Sequence, residues 1–264
     1  MKHILVNADC LDYLNDNEQQ WTTIFADPPD NLGLRYNTYR DRLPDDEYVK
    51  LLHRWLNSFI LHAKTVWFSY NAKWTFEVGK IVTEILGLRR TDVEAKACVQ
   101  TFTFGQHNHH DLGNNHRPLL RLRWRNAPLF PDAIRVPSWR QENGDKRADP
   151  RGRIPGDVFD VPRVTGNSKE RRKWHPTQLG ERLVERCLQL TTPSNGTVLD
   201  PFGGTGTSLR VCKRINLSCI LIELDKDYCN KIAKEHGLVR SDYNHHAIWG
   251  LHETPNYSYR HVSN

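Results

Sequence analysis

"VLDPFGGTGTSLRVCKR", residues 198–214, decides the fold. A short apolar run ends in an acid, Asp200; glycines follow at 203, 204 and 206, and a helix-forming stretch starts at once. Glycines let the backbone turn tightly and come close to a ligand, and the helix N-terminus behind them offers free N–H groups. No Lys-Ser/Thr follows the glycines, which disfavours a phosphate loop. The next apolar run, "SCILIE" (218–223), ends at Glu223, where an acid meets ribose hydroxyls in a nucleotide-binding βαβ unit. By themselves these features leave a plain tight turn and an ordinary strand-end acid open.

Outward from this unit the chain alternates. "HILV" (3–6) reads as a strand, with a short helix from Asp9. Strand 22–26 precedes a helix over about 45–63, opened by Pro44 and acids. Strand "TVWFS" (65–69), an amphipathic helix over about 73–86 and a β-rich stretch 93–104 follow. Periodicity then disappears from about 105 to 172, where Pro, Gly, Arg and Asn dominate. It returns with helix 178–190, strand 197–200, helix 205–215, strand 218–223 and a helix after Asp225. The pattern predicts an α/β fold, a Rossmann-like, mostly parallel sheet with helices on both faces and one irregular insertion. Residues 1–104 and 173–264 form two halves of one domain, with 105–172 between them; the tail after about 244 gives no reading.

A chain of 264 residues and 30.8 kDa supports one sizeable core. Mean hydropathy is −0.67, no apolar run is long enough for a bilayer, and "MKHILVNADC" lacks the plan of a signal peptide, so an intracellular protein is expected. Six scattered cysteines without metal spacing read as reduced core thiols. The net charge of +6 is unevenly spread: from Arg117 to Lys173 there are 15 Lys/Arg against 7 Asp/Glu, a net of +8, leaving −2 elsewhere. Trp124, Trp139 and Trp174 lie among these cations, and stacking groups beside phosphate-binding groups suit a nucleic-acid surface; a solvated loop region is the bland alternative. "GQHNHHDLGNNHRPLL" (105–120) carries histidines, but without a Cys or carboxylate at fixed spacing no metal is expected.

Two further motifs complete a pattern. "DPPD" (27–30) follows "TTIFA", and "KWHPTQ" spans 173–178. Together with "DPFGGTGT" and the acid after the next strand, they resemble the β-type amino-group DNA methyltransferases, class I enzymes that use S-adenosylmethionine. In that arrangement the catalytic motif comes first, the target-recognition region second and the cofactor glycines last, and the resemblance runs over essentially all of residues 4 to 236 outside the basic segment. It implies that Asp200, Phe202, Gly203, Gly204 and Gly206 form the cofactor loop and that Glu223 meets the ribose. It places Asp9 near the adenine or amino-acid end, although Asp9 could equally cap the following helix. It puts Lys173, His175, Pro176, Thr177 and Gln178 around the cofactor carboxylate. DNA becomes the expected partner, with a role in restriction–modification among those open. A cytoplasmic location is implied, in a bacterium or in its host if the chain is phage-encoded. β-type relatives often dimerise, which leaves a homodimer open.

The resemblance also gives "DPPD" a chemistry. An exocyclic base amine is a poor nucleophile because its lone pair is delocalised into the ring. A carboxylate (Asp27, also beside the cofactor) and the Pro28 carbonyl converging on its two hydrogens would favour the attacking geometry, while Pro28 and Pro29 stiffen the loop and remove competing donors. An Asp at the first position goes mostly with adenine N6 and Ser with cytosine N4, so Asp27 favours adenine. The fourth position is the departure: Asp30 stands where the family has an aromatic ring that stacks on the flipped base. Tyr36 or Tyr39, or else Trp67 or Phe68, is the expected substitute ring, with Asp30 on a polar base edge. Arg121, Arg123, Arg125, Arg151, Arg153, Arg171 and Arg172 are the candidate DNA contacts. Cytosine N4, a modified base, RNA, or a binding protein impaired by Asp30 are the alternatives.

Overall fold

The computed structural model describes residues 1–88, 92–103, 109–243 and 246–250. Five strands form a parallel centre: β1 (His3–Asn7), β2 (Trp21–Ala26), β3 (Ala63–Ser69), β7 (Thr197–Asp200) and β8 (Ser218–Glu223). On one flank lie β4 (Val93–Thr101), β5 (His116–Trp124) and β6 (Val158–Asp160); on the other, β9 (Val239–Tyr243) and β10 (His246–Gly250). The order is β6-β4-β5-β3-β2-β7-β8-β1-β10-β9, with antiparallel pairings at β3–β5, β4–β5, β1–β10 and β9–β10.

Alternation along each central strand feeds two layers. Ile24, Val66, Phe68 and Leu199 point to a cluster with Leu52, Trp55, Phe59 and Ile81, from α2 (Asp45–His62) and α3 (Thr75–Leu88). Phe25, Trp67, Val198 and Leu221 point the other way, to Val184, Leu188, Leu209 and Ile232 of α5 (Glu181–Thr191), α6 (Thr207–Arg214) and α7 (Lys226–His236). The sheet is thus buried on both faces, as its apolar strands require. Two short helices remain, α1 (Cys10–Asn15) and α4 (Trp139–Glu142), the latter closed by a Ser138–Gln141 capping box. All six cysteines are buried and unpaired. Among the described residues no helix is long and apolar enough to cross a membrane.

The expectation that 105–172 lies outside the core needs correction. β5 falls inside it and is an interior strand, with Leu119, Leu120 and Leu122 buried. Its alternation is masked because Arg117, Arg121 and Arg123 occupy one face of the strand, where charge conceals the apolar period. The histidine-bearing stretch lies partly outside the described residues, at 105–108.

Candidate active site

Parallel pairing brings the carboxyl ends of β1, β2, β7 and β8 to one edge of the sheet, and each end carries an acid or is followed by one. A cleft opens there, walled by Asp9, Asp27, Asp200 and Glu223 from these ends and by Gly203 and Gly204 between two of them. β2 and β7 are neighbours although far apart in sequence, so the cleft sits where chain order switches, the usual ligand position in open α/β sheets.

The glycine bend is shaped by its surroundings. Gly206 is left-handed (φ 74°) at the N-terminus of α6. At Gly203 a Cβ would stand 3.2 Å from the Ile222 carbonyl oxygen and 3.3 Å from Glu223 Cβ, so any side chain there would crowd β8. The Glu223 carboxylate accepts from Gly204 N at 2.7 Å and Asp225 N at 2.8 Å; burial nevertheless raises its pKa to about 7. Asp200 accepts from Phe202 N at 2.9 Å and is likewise pushed up by burial, to about 6. Asp9 caps α1 by accepting from Leu11 N at 2.8 Å, and it also borders the cleft.

His175 and Thr177 also line the cleft, the imidazole beside Gly204. Burial holds the imidazole pKa down near 4, so the ring is neutral at physiological pH, with Nδ1 against the Thr177 carbonyl at 2.6 Å. Tyr36 packs edge-on against both His175 (5.5 Å between centroids) and Tyr39 (6.1 Å). Their segment is folded onto Asp41, which accepts from Asn31, Leu32 and Leu34 N–H groups, and is tied across the cleft by Thr38 Oγ1 donating to Asp225 at 2.5 Å. The Tyr39 hydroxyl is buried in the cleft wall and has no partner among the described residues, as expected of a group that a bound molecule satisfies. Orphan hydroxyl, glycine cradle and strand-end carboxylate fit an adenosyl cofactor.

"DPPD" is held rigidly. Tyr48 Oη donates to the Pro29 carbonyl at 2.6 Å and Trp74 Nε1 to the Asp30 carbonyl at 2.7 Å, while no donor among the described residues takes the carbonyl of buried Pro28. Arg117 completes the motif. Its guanidinium donates to Asp27 Oδ1 at 2.7 Å, to Asp30 Oδ2 at 2.6 Å and, through Nε, to Ser69 Oγ at 2.6 Å. Burial raises the Asp27 pKa, Arg117 opposes that, and Asp30 adds to it.

Several of the expected residues are engaged elsewhere in the fold. Trp67 and Phe68 are buried on opposite faces of the sheet and cannot reach a base; Trp67 Nε1 donates to Thr191 Oγ1 at 3.2 Å. Asp30 is spent on Arg117 and the Asn71 N–H rather than presented to a base edge. Arg121 and Arg123 pair with Glu94 at 3.2 and 2.8 Å. Arg171 braces the His175 and Pro176 carbonyls, and Arg172 pairs with Glu235 at 2.6 Å. Arg151 pairs with Asp149 at 3.1 Å but stays exposed. Lys173 is exposed and does not line the cleft. Tyr36 and Tyr39 do line it, as Asp9, Asp27, His175, Thr177, Asp200, Phe202, Gly203, Gly204 and Glu223 do. Arg117 went unnoticed as a site residue, although a buried acid in an aromatic position asks for a cation. Asp225, which anchors Thr38, was also missed.

A doubly covered parallel sheet with this cleft at its carboxyl edge is the class I methyltransferase arrangement. Residues 22–235 match the N6/N4 family of DNA methylases. Type II methyltransferase M.HpaI of Haemophilus parainfluenzae is 31% identical over 229 residues, covering 84% of this chain and 69% of that relative. Two solved structures share the fold: the PvuII DNA methyltransferase (cytosine-N4-specific), at TM-score 0.67 and 14% identity over 91% of this chain and 86% of that one, and the M1.HpyAVI–SAM complex, at 0.58 and 18% over 89% and 98%. The chain belongs to the N6/N4 DNA methylase family.

Proposed function

We propose that this protein methylates the N6 amine of adenine in DNA with S-adenosylmethionine as donor. The observation that carries this reading is the cleft itself, in which the Asp27 carboxylate and the Gly203–Gly204 bend are walls of one cavity. When bound, the cofactor would supply an electrophilic methyl group, its sulfur keeping the electron pair of the broken S–C bond; the amine nitrogen would form the N–C bond and pass its proton to the Asp27 carboxylate or to water. Glu223, at the end of β8 in the cleft wall, would accept from the ribose hydroxyls of the bound cofactor. Asp27 and the uncapped Pro28 carbonyl accept the two amine hydrogens, which localises the nitrogen lone pair for attack. The carboxylate at position 27 supports adenine over cytosine.

DNA contact falls to cations without an ion pair among the described residues. Arg125, Arg140, Lys146, Arg153, Lys169 and Lys173 are exposed, and Trp139 is 73% exposed beside Arg140. These supply phosphate neutralisation and a stacking face. The test is transfer of labelled methyl to DNA by wild type and Asp27→Asn, followed by mass spectrometry of the nucleosides. N6-methyladenine that depends on Asp27 is expected. N4-methylcytosine would replace the base assignment, and no Asp27-dependent label would leave a binding protein.

A further inference from the structure

Four polar side chains meet at the end of β2, Asp27, Asp30, Ser69 and Arg117, and only the two acids belong to "DPPD". Asp30 is 8% exposed, and the Arg117 side chain is 18% exposed. The guanidinium lies between two carboxylates, reaching Asp27 Oδ1 at 2.7 Å, Asp30 Oδ2 at 2.6 Å and Asp30 Oδ1 at 3.1 Å, with Nε on Ser69 Oγ. Asp30 is fixed in turn by the Asn71 N–H at 2.9 Å. A flat fork with this many directed bonds cannot slide. Its placement is set by register: β5 pairs with β3 so that Ser69 stands opposite Leu119, which brings Arg117 over the loop that leaves β2.

We infer that Arg117 is a positioning residue for methyl transfer: it orients the Asp27 carboxylate toward the amine, and Asp30, in place of the family's aromatic, anchors it there. The acid at position 30 and the cation on β5 thereby act as one unit, each holding the other beside Asp27. The inference rests on Asp27 being the amine acceptor. A merely structural ion cluster would add stability without controlling the state of Asp27, and the two roles differ in the pH dependence of the reaction.

The groups facing Asp27 are Arg117 from β5, Ser69 from β3, Asp30 from its own loop, Asp200 from the end of β7, and the Tyr36 phenol, itself pushed up by burial. Asp200 is common to every variant, so shifts between variants report on the Arg117 cluster. Removal of the cation in Arg117→Gln makes the Asp27 anion harder to form, and the acidic limb of the single-turnover pH profile moves up by about one unit or more. Removal of the like charge in Asp30→Asn moves the limb down.

The experiment is single-turnover methylation of DNA across pH 5–9 by wild type, Arg117→Gln, Arg117→Lys, Asp30→Asn and Asp27→Asn, with S-adenosylmethionine affinity and melting temperature measured in parallel. Arg117→Gln is expected to lose about 10²-fold in rate while cofactor affinity stays within about threefold, with partial recovery in Arg117→Lys. Limbs that keep the wild-type position in every variant while melting temperatures fall would mark the cluster as structural and overturn the inference. If Arg117→Gln does not fold, Asp30→Asn decides the matter through the same limb, and an unmoved limb there overturns the inference. Wild-type transfer that does not need Asp27 overturns both this inference and the proposed function; transfer that needs Asp27 with unmoved limbs overturns this inference alone.

Discussion

The strand ends at the cleft and the face of β5 are built from similar ingredients and end up doing opposite things. At the ends of β1, β2, β7 and β8, acids lie in or near an open cavity, and burial raises the pKa of Asp27, Asp200 and Glu223. Along β5, Arg117, Arg121 and Arg123 are covered and paired, two of them with a single acid, Glu94. The cleft acids keep a side open to a ligand, whereas Arg121 and Arg123 are matched to Glu94 and belong to the frame; Arg117 links the two regions through Asp27. Charge count along the sequence therefore locates a region, and only pairing locates a function.

The contrast can be broken at its strongest point first. Asp27→Asn should lower the methyl-transfer rate roughly 10²–10³-fold, the loss typical of one group aimed at a developing charge, with cofactor affinity little changed. Equal losses in both would mean that Asp27 serves only to bind. On the opposite side of the comparison, Trp139→Ala should weaken DNA binding by about 1–3 kcal/mol in a titration, as expected for one stacking ring, without touching cofactor affinity. Salt dependence sharpens the division among arginines. Arg153→Gln should reduce the log–log salt slope of DNA binding by about one, while Arg121→Gln should leave the slope alone and lower the melting temperature instead.

The smallest expected effect is a pH dependence. Glu223 titrates at about 7 in the fold against 4.5 in its unperturbed state, so folding favours its protonated form. That contribution to stability is fully present below pH 4.5 and is lost as pH rises through about 7. Cofactor binding should run the other way. The ionised carboxylate is the better acceptor for ribose hydroxyls, so affinity should rise severalfold from pH 6 to pH 8, and Glu223→Gln should flatten the curve.

What could be read in advance followed backbone logic. A glycine bend after a strand, an acid closing the next strand and a helix opened by Pro44 with acids behind it are local, and α2, β8 and the cleft acids fell where expected. The unread pairings were long-range. Asp30 and Arg117 are 87 residues apart, and Arg121 and Glu94 are 27 apart in sequence but neighbours across a ladder. β5 itself was hidden because its arginines alternate with leucines in a period that looks polar. Lys173 failed for a different reason: the motif around His175 fixes a backbone path, and a lysine next to it is free to point outward.

The six cysteines give the molecule an internal clock. Cys10 belongs to the layer of α2 and α3, whereas Cys98, Cys187, Cys212, Cys219 and Cys229 belong to the layer of α5 to α7, and all six are shut away from reagents. Alkylation must wait for the sheet to part from its helices, so each thiol records how often its own layer opens. The tempo at Cys10 set against that of the other five tells whether the two layers come apart together or one after the other.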